Sequence, residues 1–149
     1  MKKFKFTLQS LYNYKQTVEK LQKAELAKAQ QALQLLQAEE KRIIQAQVDT
    51  KISLELALQK GENIVAALTE HDAFFRFLRD ALEDVRRKII RAEEVVRKCQ
   101  EKLIITMREL KAYDKLRDEQ YEAWKAEAQA EEAKNIDDLV SFKVISEEA

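Results

Sequence analysis

Proline is absent from these 149 residues and glycine occurs once, as Gly61. Turns and loops draw on both, at about 7% Gly and 5% Pro in globular chains, so a many-stranded or α/β fold is excluded. Cysteine also occurs once, as Cys99, which removes any intrachain disulfide and fits a reducing compartment. The single histidine, His71, stands about seven helical turns from Cys99, so the two cannot share a metal, and no metal or other cofactor is expected. No glycine-rich loop exists to cradle a phosphate. No apolar run approaches the ~18 residues of a membrane span. The basic start "MKKFKF" is not followed by the apolar stretch of a signal peptide. Neither charge sign dominates, with 27 basic and 27 acidic residues mixed along the chain, which argues against a nucleic-acid binder. A soluble cytoplasmic protein is the expectation.

What is present is helix-forming material. Charged residues make up 36% of the chain, and Ala, Gln, Leu, Glu and Lys dominate. Alternate steps of three and four from Phe75 visit Leu78, Leu82, Val85, Ile89, Ala92, Val96, Cys99, Leu103, Thr106, Leu110 and Tyr113. All but Thr106 are apolar, which is a coiled-coil seam. Beyond Tyr113 the same register meets Arg117, Gln120, Trp124 and Glu127, and the seam degrades. Pairs such as Glu83–Arg87 and Glu93–Arg97 mark the solvated face. In the first half, Phe4, Leu8, Leu11, Lys15, Val18 and Gln22 follow one register. A shifted one continues through Leu26, Ala29, Leu33, Leu36, Glu40, Ile43, Gln47, Thr50, Leu54 and Ala57, and the offset at Gln22–Leu26 is a stutter.

Between the halves, Gly61-Glu62-Asn63 is the one loop-like tripeptide, and Thr69 with Asp72 has the spacing of a weak capping box. The expected fold is therefore all-α, a long antiparallel two-helix coiled-coil hairpin forming a single domain over residues 1–149. Helix one should run over about 5–60, the connector over about 61–69 and helix two over about 70–140, with a frayed C-terminal tail. A parallel dimer of one continuous helix is the rival. Gly61 and the change of register beside it oppose that rival.

A two-helix assembly has no water-excluding pocket in which carboxylates could be tuned for catalysis, so the chain reads as a non-enzyme with no small-molecule substrate. His71 reads as a turn or cap residue and Cys99 as a small core residue. The anomaly is "FFRF". With Phe75 in the seam, Phe74 falls at its margin and Phe77 outside it. Those rings are either anchors for a partner groove or are covered by Ile64–Leu68 of the connector. Ile90, Ile104 and Ile105 also fall off the seam, as a second contact surface or as packing against a bent first helix.

Three stretches, "FKFTLQSLYNYKQTVEKLQKAEL", "FFRFLRDALEDV" and "LRDEQYEAWKAEAQAEEAKNIDDLVSF", together resemble the FliJ family of the bacterial flagellar type III export machine, whose injectisome counterpart is similar. The resemblance covers nearly the whole chain. It implies a stalk-like coiled coil that inserts its free end into the hexameric export ATPase, links it to the export gate FlhA, and escorts export chaperones. It implies a monomer alone, peripherally associated with the inner face of the membrane at the flagellar base. Carried onto this sequence, the gate-binding stripe would be Phe77, Ala81, Asp84 and Lys88, with Phe74 beside it. Ala81 and Asp84 depart from what the family usually has there. The ATPase-facing tip would comprise Leu8, Leu11, Lys134, Asp137, Asp138 and Leu139. The alternatives are a generic scaffold coiled coil or a stalk subunit of a rotary ATPase. Residues 114–149 lack the alternating pattern of a terminal α/β domain, which weakens the second of these.

Overall fold

The computed structural model describes residues 2–61 and 63–148. Two helices, α1 (Gln9–Gln59) and α2 (Ile64–Glu148), account for most of them, and there is no strand among the described residues. The fold is an antiparallel two-helix coiled-coil hairpin, as the seam predicts. Contacts divide it into two units, one from Leu21 to Leu103 and one combining residues up to Lys20 with those from Ile104 onward.

In the Leu21–Leu103 unit, Ile43 of α1 meets Leu78, Leu82, Val85 and Ile89 of α2 in a buried cluster, with Leu33, Leu36, Ala46 and Ala81 packed against it. Every seam position from Phe75 to Leu103 is buried or half-buried, Phe75 and Val96 among the latter. The polar seam residues have separate solutions. Thr50 donates its hydroxyl to the Ala46 carbonyl at 2.7 Å, and Glu40 takes Arg86 at 3.4 Å. Gln22, at the stutter, is half-buried, and its Oε1 has no hydrogen-bond partner among the described residues.

The turn is shorter than the spacing predicts. Gly61 sits at φ 76°, in the left-handed region that favours glycine, and its N–H closes on the Leu58 carbonyl. Glu62 of the expected loop tripeptide lies outside the described residues. Asn63 then caps α2, its Oδ1 accepting the N–H groups of Val65 at 3.1 Å and Ala66 at 3.5 Å. Helix two therefore starts at Ile64, not near residue 70, because a capping side chain was available six residues earlier. Thr69 is no cap. Its hydroxyl donates back to the Val65 carbonyl within the helix. His71 is likewise a helix-interior residue, not a turn residue, and its Nδ1–H donates to the Ala67 carbonyl at 2.7 Å.

The other unit holds a correction at the chain's start. Residues 2–6 are not helical, and α1 begins at Gln9 rather than near residue 5. The extended segment forms a strap along α2. Phe4 packs on Tyr121 and Trp124 with centroids 5.3 and 5.9 Å away, and Phe6 is buried. The Trp124 indole N–H donates to the Lys2 carbonyl at 3.0 Å, and Thr7 exchanges hydrogen bonds with the Gln120 amide. Because the strap is extended, Leu11 does not continue a helical seam from Phe4. It is exposed, and Tyr12 turns inward instead. Leu110 and Thr106 are buried in this unit. At the far end, α2 stays helical to Glu148 instead of fraying near residue 140, since no proline or glycine interrupts it.

Candidate functional site

Two sets of residues carry the functional expectation, one in each unit. In the Leu21–Leu103 unit, Phe74 and Phe77 are 46% and 65% exposed. Their rings stack on each other, with centroids 6.2 Å apart and planes 22° from parallel. Helical geometry brings this about, since positions three apart are neighbours on one face. The connector does not cover them. Ile64, Val65 and Leu68 are themselves exposed. One step farther along the face, Ala81 is half-buried against the core cluster. Asp84 and Lys88 are exposed and pair with each other at 3.1 Å. The stripe is thus two aromatic rings, a small residue and a self-neutralised ion pair.

Beside Phe74 runs an open groove lined by Asp49, Thr50, Ser53, Glu70, His71 and Ala73. Since a carbonyl can only accept, the contact to Ala67 places a proton on His71 Nδ1. The groove is shallow and open. Among the described residues, no group of three His, Cys, Asp or Glu side chains could hold a metal ion. Among the described residues too, no helix is long and apolar enough to cross a membrane.

The terminal set is not one patch. Leu8 is half-buried and Leu11 exposed, on the stretch that pairs with α2 near Asp114 and Gln120. Lys134, Asp137, Asp138 and Leu139 lie farther along α2, all exposed. At 1.5 Å per residue, Leu139 is roughly 28 Å beyond Gln120 along the helix. The structure therefore does not bring the two halves of the expected tip together.

Polar contacts hold this end in register. Lys15 pairs with Glu109 at 2.5 Å, and that contact raises the Lys15 pKa. The Tyr12 hydroxyl donates to Asp114 at 2.8 Å, and the Arg117 guanidinium lies over the Tyr12 ring. The bond to Asp114 raises the Tyr12 pKa above its ordinary value, with desolvation and the Asp114 charge adding to it and Arg117 opposing. On the outer face of α2, Arg97 reaches both Glu94 and Glu101, which lowers the Glu94 pKa. Ile90 in one unit, and Ile104 and Ile105 in the other, are exposed rather than packed on α1.

The periodicity of the sequence does not reveal the aromatic cluster of Phe4, Tyr121 and Trp124. Its signal was the Lys-Phe-Lys-Phe alternation at residues 3–6, a two-residue period belonging to extended chain rather than helix.

Comparison with known proteins adds one match. A family model described as "Flagellar FliJ protein" matches residues 4–149. No curated protein and no solved structure matches.

Proposed function

The chain belongs to the FliJ family and is a component of the flagellar export apparatus, and from that premise we propose that it works there as a stalk. In this reading the terminal end inserts into the hexameric export ATPase, presenting Leu8, Leu11, Lys134, Asp137, Asp138 and Leu139. The exposed stripe of Phe74, Phe77, Ala81, Asp84 and Lys88 meets the export gate FlhA. The same chain escorts export chaperones, and it sits peripherally at the inner face of the membrane at the flagellar base. The family is a structural and export component rather than an enzyme.

The observation that carries this reading is the family match across residues 4–149. Physical features support it. Neither long helix contains a proline or a glycine, the residues at which helices most often kink. Exposed stacked aromatics on a helix supported by a packed core are suited to anchor a partner.

The test is co-purification of the full chain with the hexameric ATPase and, separately, with the cytoplasmic part of FlhA. The expected result is that both are retained. Phe74→Ala with Phe77→Ala should then lose FlhA and keep the ATPase. A wild-type chain that retains neither partner would refute the reading.

A further inference from the structure

Residues 2–5 are placed without belonging to either helix. Phe6 is what anchors the start of the chain. It is buried, its carbonyl accepts the Gln9 N–H at the head of α1, and its ring lies edge-on to Tyr12. The four residues before it are held differently. Lys2, Lys3 and Lys5 are exposed, and only the Phe4 ring turns inward, half-buried. That ring stands edge-on to Tyr121 and tilted to Trp124, while the Trp124 indole N–H reaches the Lys2 carbonyl. Ordering four residues of extended chain costs backbone entropy at each of them, which one ring and one carbonyl offset only narrowly. Contacts this sparse, at a chain terminus, open on their own before the helices they rest on.

What lies beneath is shaped for a segment of this kind. Tyr121 and Trp124 stack on each other with centroids 5.8 Å apart and planes 29° from parallel. Lys2, Lys3 and Lys5 lie around a groove that also takes in Glu127. Such a platform offers its rings to an aromatic side chain, its indole N–H to a backbone carbonyl and its carboxylate to a cation. The chain fills this site with its own first residues.

We propose that residues 2–5 are an autoinhibitory latch. They act as an internal ligand that keeps the Tyr121–Trp124 platform closed, and they yield it to an extended partner segment carrying an aromatic residue between lysines. None of these residues is among the ATPase and gate contacts proposed above, so the latch does not depend on them.

Trp124 is the only tryptophan, so its fluorescence reports the latch directly. A short tether holds the segment at an effective concentration of about a millimolar; with an open fraction of about a tenth, the free segment binds at roughly 0.1 mM. The probe is the dye-labelled peptide Lys-Lys-Phe-Lys, its binding to the full chain and to Phe4→Ala followed by anisotropy. Without peptide, acrylamide should quench Trp124 at least about twofold more strongly in Phe4→Ala than in wild type, with the helical melt by circular dichroism unmoved. The peptide should bind Phe4→Ala at roughly 0.1 mM, and wild type should need about tenfold more because the latch competes. The peptide Lys-Lys-Ala-Lys should bind neither. Equal quenching in the two chains, equal affinity of the peptide for both, binding to neither, or equal binding of the alanine peptide would each overturn the proposal. So would a Phe4→Ala melt lowered as far as that of Phe6→Ala, since residues 2–5 would then belong to the core.

Discussion

Truncating both exposed rings, Phe74→Ala with Phe77→Ala, separates a docking stripe from a structural one. The structure sets the size of the effect. Phe74 and Phe77 are 46% and 65% exposed, and their rings stack on each other. A stacked aromatic pair contributes about 0.5–1.5 kcal/mol beyond its buried area. Against that loss, replacing Phe with Ala on a helix returns roughly 0.5 kcal/mol per site in propensity. The net cost should be under about 1.5 kcal/mol, whereas a core phenylalanine costs about 3–5 when removed. Leu78→Ala supplies the comparison, because Leu78 is only 5% exposed inside the core cluster. It should cost about 2–5 kcal/mol. The assay is urea unfolding followed by circular dichroism at 222 nm for all three chains, roughly the band where helix dominates. The double-alanine midpoint should stay close to wild type while Leu78→Ala falls well below it. A loss above about 3 kcal/mol for the double variant would show that the rings belong to the core, and the docking stripe would be refuted.

Three further perturbations follow from local chemistry. Asn63→Ala removes the acceptor of two α2 N–H groups and should cost about 1 kcal/mol in the same unfolding assay, with Asn63→Gly costing only a few tenths. Gln22→Leu replaces a seam amide whose Oε1 has no partner among the described residues and should raise stability by about 0.5–2 kcal/mol; a loss instead would mean that this oxygen has a partner in solution. Tyr12 has a raised pKa in the fold, so its contribution is fully present below the ordinary value near 10 and is lost as pH climbs through the raised one. The melting temperature of the wild type should therefore fall more steeply above about pH 10 than that of Tyr12→Phe.

The second helix was legible because its signal is global. From Phe75 to Tyr113 each step of three or four lands on a buried or half-buried residue, and no single local choice could undo that pattern. Boundaries were less legible, because caps compete locally. Thr69–Asp72 offered a plausible start, but Asn63 lies earlier, directly after the left-handed Gly61, and the helix forms from the first site that satisfies its N–H groups. The stripe was half legible. Spacing put Phe77 outside the seam, but only the structure shows that Ile64, Val65 and Leu68 leave it uncovered. The terminal set was the least legible. Phe4 and Leu8 have heptad-compatible spacing by coincidence, since both precede α1, and Tyr12 rather than Leu11 turns inward.

The polar seam residues explain why the two units hold their pairing by different means. Between Leu21 and Leu103 the register is set by apolar volume, Ile43 against Leu78, Leu82, Val85 and Ile89. A one-heptad slip there would exchange one aliphatic contact for another at modest cost. Toward the termini apolar contacts continue at Phe6, Leu110 and Ala128, and specific polar pairs join them: Lys15 with Glu109, Tyr12 with Asp114 and Arg117, Thr7 with Gln120. A slip of seven residues would break all of these at once and leave Tyr12 and Lys15 facing the wrong groups. Such contacts add little stability, being half-exposed, but they discriminate strongly between registers. Arg117 and Gln120, which look like decay of the seam when read as hydropathy alone, therefore help to hold the register there.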